Sequence, residues 1–251
     1  MKFDWSDLRR ELGLWRGENK CLPFWWRDDD AVEPTQALQS LESMSDVLGV
    51  AVHLAIIPKL VTEDLAQTLN YQFVPVVHGW AHDSHASTGH KNAEFGQRRD
   101  RSVSHAELRV GLHRMRHLFG DRLSMMFVPP WNRIDEAFTP FLRELGYTAV
   151  STFRPRNKSE AQPGLAYINT HVDPIDWRGT RGLAQPEALI AQTVSLLRDR
   201  REGRADETEP FGYLTHHLAH DSEIWEFSHQ FISEICEGPV ALYRHDRKEM
   251  A

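Results

Sequence analysis

Three consecutive carboxylates and two closely spaced histidines are the residues of this sequence best suited to chemistry. Asp28, Asp29 and Asp30 follow one another, and His78 and His82 stand four residues apart in the segment HGWAH. Neighbouring carboxylates raise one another's pKa unless a cation compensates them, and a metal ion would supply that charge. Two imidazole nitrogens and one carboxylate oxygen, with a fourth position left open, form a typical hydrolytic zinc site.

The residues before these groups distinguish them from chance clusters. An acidic triplet alone could be a solvated turn, or it could cap the helix predicted to begin near Thr35. His113 and His117 are also four residues apart, but they fall on a predicted surface helix and are not interpreted as a site. The apolar runs LPFWW and FVPVV, in contrast, place the aspartates and His78 at the ends of buried strands. A helical turn directly after FVPVV would direct His78 and His82 to the same side.

The rest of the sequence predicts the elements that would position these groups. Short β-branched or aromatic runs alternate with segments of helical period, a pattern typical of a mostly parallel sheet or barrel. In such folds the reactive groups gather at the carboxyl ends of the strands. The predicted strands are Leu22–Arg27, Val50–Ile57, Phe73–Val77, Met125–Val128, Thr148–Thr152, Leu165–Ile168 and Phe211–Thr215. The predicted helices between them are Thr35–Leu48, Thr62–Asn70, Ser102–Phe119, Glu136–Leu145, Pro186–Arg200 and Ser222–Glu237.

Composition limits the class of protein. The 251 residues, 41% hydrophobic and 26% charged with a net charge of −7, predict one globular domain. It comprises an N-terminal helix (1–20), a barrel (22–221) and a C-terminal helix and tail (222–251). The acidic balance argues against non-specific binding of nucleic acid. Cys21 and Cys236 are too few for a disulfide framework. No apolar stretch reaches the roughly 20 residues of a membrane span, and no signal peptide is recognised, so we predict a cytoplasmic protein.

Five segments, in order, resemble the motifs of a known enzyme family. RDDDAVEPT, HGWAH, FVPPWN, DPIDW (173–177) and YLTHH (213–217) are similar to the five motifs of the polysaccharide deacetylases, carbohydrate esterase family 4. The span Leu22 to Asp221 covers most of the chain. The resemblance implies an α/β fold, a distorted (β/α) barrel of about seven parallel strands. It also implies one divalent metal ion, zinc by expectation, and hydrolysis of an acetyl or similar acyl group from an N-acylated amino sugar or saccharide.

The resemblance also implies roles for individual residues. Asp28 matches the general base and Asp29 the carboxylate ligand, with Asp30 where the family has glycine. A shift by one residue, with Asp29 as base and Asp30 as ligand, remains open. His78 and His82 match the two histidine ligands of the metal.

The later motifs supply the remaining groups. The backbone N–H of Trp131 matches the donor to the oxyanion, and Trp131, Asn132 and Trp177 are expected to contact the saccharide. His216 matches the histidine that protonates the departing amine, and Asp176 its orienting acid. By strand alternation only one of His216 and His217 can enter the site, and the motif register favours His216. The secondary candidates are Asp30, Arg27, Arg133, Asp173 and His217.

One position departs from the family pattern. The arginine that pairs with the catalytic aspartate is replaced by Val128, and Arg27 or Arg133 could substitute for it from another direction. A protein without that charge could be a weakened or inactive saccharide-binding homologue. A third alternative is a metal-dependent phosphohydrolase of the HD type, because His82–Asp83 and His220–Asp221 form HD dyads. Those phosphohydrolases are all-helical, whereas this sequence predicts strands.

Overall fold

The computed structural model describes residues 3–245, and its centre is a curled sheet of mostly parallel strands. The strands are β1 (Leu22–Ala31), β2 (Val52–Ile56), β3 (Phe73–His78), β4 (Met126–Val128), β5 (Ala149–Val150), β6 (Glu160–Gln162), β7 (Leu165–Tyr167), β8 (Phe211–Thr215) and β9 (Val240–Leu242). Their order in the sheet is β6-β7-β5-β4-β3-β2-β1-β8, with β9 also paired to β1, and among these strands only β6 and β7 pair antiparallel. A bridge between Val172 and Tyr213 joins the chain after β7 to β8 and so closes the curl.

The predicted fold class is confirmed, and all seven predicted strands are present. The two additional strands, β6 and β9, have three residues each. β6 has the sequence EAQ, which carries no strand-like apolar alternation, so propensity could not indicate it. The residues of the predicted domain at positions 1–2 and 246–251 lie outside the described part of the chain.

Helices cover the outside of the sheet. The helices are α1 (Ser6–Gly17), α2 (Gln36–Leu48), α3 (Glu63–Thr68), α4 (Arg101–Phe119), α5 (Thr139–Glu144), α6 (Pro186–Arg201) and α7 (Ser222–Cys236). Of these, α2, α3, α4 and α7 begin at polar side-chain caps. Thr35 accepts a hydrogen bond from the Leu38 backbone N–H (3.1 Å), and Asp221 caps the last helix through the Ile224 N–H (2.8 Å). Within residues 3–245, no helix is long and apolar enough to cross a membrane.

Alternation along β1 separates two apolar regions. Trp25 lies inside the barrel, in a cluster with Val76 and Val128, whereas Trp26 belongs to the larger core between sheet and helices. Both indoles are fully buried, and the Trp26 Nε1–H donates to Thr215 Oγ1 at 2.8 Å. Successive side chains of a strand point to opposite faces, so the same alternation governs the polar residues that follow the two tryptophans.

Candidate active site

The carboxyl ends of β1, β3, β4 and β8 bring the predicted chemical groups to one edge of the sheet. Asp30 Oδ1 lies 3.1 Å from His78 Nε2 and 3.3 Å from His82 Nε2. Ligand atoms of these three side chains all lie within 4.8 Å of one another, close enough to share one ion. The carboxylate beside the two histidines is therefore Asp30, not Asp29 as the first register predicts.

The hydrogen bonds of the two histidines suit metal binding. His78 Nδ1 contacts the Val128 carbonyl oxygen at 3.0 Å, so this nitrogen carries a proton and Nε2 is the nitrogen that faces Asp30. Burial disfavours a charged His78, but the hydrogen bond to Asp30 and the charges of Asp29 and Asp30 together outweigh burial and raise the pKa of His78. Burial lowers the pKa of His82 and favours the neutral imidazole that a metal requires. The donor set of one carboxylate and two imidazoles thus fits a divalent ion such as zinc.

A tight loop, not a helical turn, brings His82 beside His78. Gly79 and His82 have φ angles of +58° and +59°, so the predicted helical turn after β3 is wrong. The buried Glu94 holds this loop by accepting hydrogen bonds from the Trp80 and Ala81 backbone N–H groups (3.1 and 2.7 Å). Burial raises the pKa of Glu94.

Arg27 supplies the cation that Val128 cannot. Its guanidinium donates to both carboxylate oxygens of Asp29 at 2.8 and 3.0 Å, and both side chains are buried. The pair forms because residues two apart on a strand share a face. Arg27 also donates to Asn132 Oδ1, at 2.5 Å. Arg133 instead donates to the Asn92 carbonyl oxygen, in an exposed position.

Asp28, predicted to be the base, faces away from the metal ligands. It is fully buried on the other face of β1, where Thr215 and His217 donate hydrogen bonds to it. The four residues of β1 from Asp28 to Ala31 lie opposite only three of β2, Leu54 to Ile56, and Asp30 has φ +74°. This bulge adds a residue between the strand and Thr35, which places Asp30 where the first register expects Asp29. The alternative register, Asp29 and Asp30, agrees with the geometry.

The end of β8 places His216 opposite Asp29. His216 Nε2 lies 4.0 Å from Asp29 Oδ2, and its ring meets the Trp177 ring edge-on at 4.8 Å. His217 points to the opposite side, as alternation predicts, and contacts Asp28. Trp177 is 40% exposed, which leaves its ring accessible beside His216.

The acid associated with His216 is Asp173, whereas Asp176 is occupied elsewhere. Asp176 accepts hydrogen bonds from the Gly179 and Thr180 backbone N–H groups at 3.0 and 3.2 Å, which closes a turn. Asp173 accepts the Trp177 indole N–H at 2.8 Å. Burial raises the pKa of Asp173, and the charge of His216 opposes that rise. The expectation that Asp176 orients His216 is therefore not met by the geometry.

The PPWN segment forms the wall of the site between Arg27 and His82. Trp131 and Asn132 both have positive φ, +55° and +57°, and the Trp131 ring packs on His82 with centroids 4.3 Å apart. A cavity of about 610 Å³ opens beside this segment. Its lining includes Asn132, Arg133, Phe153, Asn157, Lys158 and Tyr167.

Sequence reasoning missed two groups that support the site. Glu94 lies in a polar loop, where no local pattern separates it from solvated neighbours. Ser151, whose hydroxyl accepts a hydrogen bond from Arg27 at 2.6 Å, follows β5 directly. Ser151 falls inside the predicted strand Thr148–Thr152, which extends two residues past the observed β5, so a survey of polar residues beyond the predicted strand ends would have found neither group.

Comparison with known proteins gives structural matches alone. No protein-family model matches the chain, and no curated protein matches it. A family 4 carbohydrate esterase from Streptomyces lividans is 13% identical with a TM-score of 0.57, covering 88% of this chain and 92% of that one. A polysaccharide deacetylase from Bacillus cereus is 12% identical with a TM-score of 0.54, covering 92% and 95%. A family 4 pseudoenzyme from Bacillus anthracis is 14% identical with a TM-score of 0.55, covering 88% and 63%.

These matches agree with the architecture described above. At such low identity they establish shared topology, and they include both an esterase and a pseudoenzyme. The resemblance predicted from the five sequence segments is thus confirmed at the level of the fold. The chain has the fold of the polysaccharide deacetylases and family 4 carbohydrate esterases.

Proposed function

We propose that this protein is a metal-dependent hydrolase that removes an acetyl or similar acyl group from an N-acylated amino sugar. The observation that carries the proposal is the convergence of Asp30, His78 and His82 beside the compensated carboxylate of Asp29. When bound, a divalent ion at such a site acidifies water and polarises the acyl oxygen. The Trp131 ring packs on His82 and the Trp177 ring meets His216. Asn132 lines the neighbouring cavity, which is large enough for sugar rings.

Two residues divide the proton transfers. Asp29 faces the site and takes the proton of the attacking water, and Arg27 keeps this buried carboxylate compensated. His216, on the other side of Asp29, gives a proton to the departing amine. The backbone N–H of Trp131 is the proposed donor to the oxyanion.

The pairing of Arg27 with Asp29 favours an active enzyme over an inactive homologue. The loss of arginine at position 128 need not remove the compensating charge, because Arg27 provides it from β1. The phosphohydrolase alternative is contradicted by the fold, since its class is all-helical. In both HD dyads the aspartate also has another role: Asp83 lies 3.7 Å from Lys59, and Asp221 caps α7.

The decisive experiment measures zinc content and acetate release from an N-acetylated chitooligosaccharide. The wild-type protein should bind about one zinc ion per chain and release acetate. His78→Ala should lose both properties. His113→Ala is the matched control, because His113 is an exposed histidine on α4, and it should lose neither. Full activity of His78→Ala would refute the ligand assignment, and saccharide binding without acetate release would favour the inactive homologue.

Two further variants separate the aspartate registers. Asp30→Asn should abolish zinc binding, whereas Asp29→Asn should retain zinc and lose acetate release. Loss of zinc from Asp29→Asn, with zinc and acetate release both retained in Asp30→Asn, would restore the first register.

A further inference from the structure

Asp28 is a buried carboxylate that the proposed chemistry does not use. It is fully buried and accepts three hydrogen bonds, all from residues that flank His216. Thr215 Oγ1 donates at 2.6 Å, the His217 backbone N–H at 3.0 Å, and His217 Nδ1–H at 2.5 Å. The same oxygen, Oδ2, receives the first two of these bonds.

Hydrogen bonds hold both oxygens of this carboxylate and also one of its donors. The His217 ring binds Oδ1, while Thr215 Oγ1 and the His217 backbone N–H bind Oδ2. Thr215 is itself held by Trp26, since its Oγ1 accepts the Trp26 indole N–H at 2.8 Å.

His216, in contrast, has few contacts of its own. Its backbone N–H donates to His220 Nε2 at 3.4 Å, and its Nδ1 has no hydrogen-bond partner among residues 3–245. Its ring meets Trp177 edge-on and approaches Asp29 no closer than a long 4.0 Å contact. The position of the imidazole therefore depends on the backbone of Thr215 and His217 on either side.

We propose that Asp28 is a positioning residue that fixes His216 over Asp29 by binding the turn from Thr215 to His217 to β1. This inference rests on the proposed function, because it assigns Asp28 an effect only through proton donation by His216. Asp28 has no part in metal binding in this scheme, since its side chain lies on the opposite face of β1 from Arg27 and Asp29. Displacement of a catalytic group by about 1 Å can cost about 100-fold in rate.

The test compares two substrates that differ in their need for an acid. An N-acetylated chitooligosaccharide releases an amine, which must be protonated, whereas 4-nitrophenyl acetate releases a phenolate that departs without a proton. Asp28→Asn should lower kcat for the amide by about 10- to 100-fold with little change in KM, and change the ester rate by less than about threefold. Zinc content should equal that of the wild type. His216→Ala should show the same selectivity, and the double variant should be no slower than His216→Ala.

A matched pair of variants separates positioning from general loosening of β8. Thr215→Val removes one bond to Asp28 together with the bond from the Trp26 indole. Ser228→Ala removes the buried hydrogen bond to Tyr213 Oη (2.9 Å) on the same strand. Thr215→Val should lower the amide-to-ester ratio, and Ser228→Ala should leave it unchanged. Thr215→Val keeps Asp28 and carries the test if Asp28→Asn fails to fold.

Three results would overturn the inference. These are an equal loss on both substrates in Asp28→Asn, loss of zinc from that variant, or equal amide-to-ester ratios in Thr215→Val and Ser228→Ala. A zinc-loaded wild type that hydrolyses neither substrate would refute the proposed function, and the inference with it. That failure is distinguishable because it requires no variant.

Discussion

Replacement of Arg27 by methionine should destabilise the protein far more than the loss of an exposed ion pair. The Arg27 side chain is fully buried, and the Asp29 side chain is only 4% exposed. The Arg27 guanidinium donates two hydrogen bonds to Asp29 and one each to Ser151, Thr152 and Asn132. Removing one partner of a buried pair leaves an uncompensated charge, so we expect the free energy of unfolding to fall by about 3–5 kcal/mol.

Urea unfolding at equilibrium measures this difference, and Arg9 provides the control. Arg9 also pairs with a carboxylate, Glu234, through two nitrogens, but its side chain is 65% exposed. Arg9→Met should therefore cost at most about 1 kcal/mol. The double variant Arg27→Met/Asp29→Leu removes both buried charges and should recover much of the stability lost in Arg27→Met.

Arg27→Met also has a kinetic consequence. It should lower the rate of acetate release, because the guanidinium that holds both oxygens of Asp29, the proposed base, is lost. The reasoning fails if Arg27→Met costs no more than Arg9→Met, or if the double variant is no more stable than the single one. An unchanged rate of acetate release would show that Arg27 does not position the base.

Two further predictions concern the loop after β3 and the histidine after β8. Gly79→Ala should cost at least about 1–3 kcal/mol in urea unfolding, because φ is +58° and a Cβ would lie 2.2 Å from Glu94 Oε2. Gly13→Ala, on an open face of α1, should instead stabilise by about 0.5–1 kcal/mol, and equal effects would contradict the strain. Burial beside Trp225 lowers the pKa of His220 from 6.5 to about 4. Between pH 6.5 and about 4, His220 is therefore protonated in the unfolded chain and neutral in the folded one. Stability should thus fall as pH drops through this window, by about 2 kcal/mol more in the wild type than in His220→Gln, and parallel curves would exclude His220 as the cause.

Strand alternation and strand-end placement were sufficient to predict most of the site. His78, His82 and His216 occupy the predicted edge because each follows an apolar run long enough to define a buried strand. Alternation also assigned His216 and His217 to opposite sides correctly. Applied to β1, the same rule pairs Arg27 with Asp29 and excludes Asp28, since residues two apart share a face.

The parts that could not be predicted depend on backbone irregularities and distant partners. The bulge at Asp30 is a positive-φ conformation of a non-glycine residue, which local propensity does not indicate. Glu94 holds the loop after β3 from a distant part of the sequence, and this loop packs closely, with Gly79 against both Glu94 and Pro130. The sequence offers both Asp173 and Asp176 as the acid beside His216. Only the structure shows that Asp176 instead accepts a hydrogen bond from the backbone N–H of Gly179.

Because Arg27 lies next to the acidic triplet, β4 does not have to supply a cation for it. The charge of Asp29 is compensated within three residues of one strand, so it does not depend on how another strand is placed. Val128 can then serve as filling for the barrel interior, where it packs with Trp25 and Val76. Reinstating arginine at position 128 would put a second cation into this apolar interior with no carboxylate left to receive it. Variants of the PPWN wall that retain Asn132, which accepts a hydrogen bond from Arg27, can accordingly be explored without disturbing the electrostatics of Asp29.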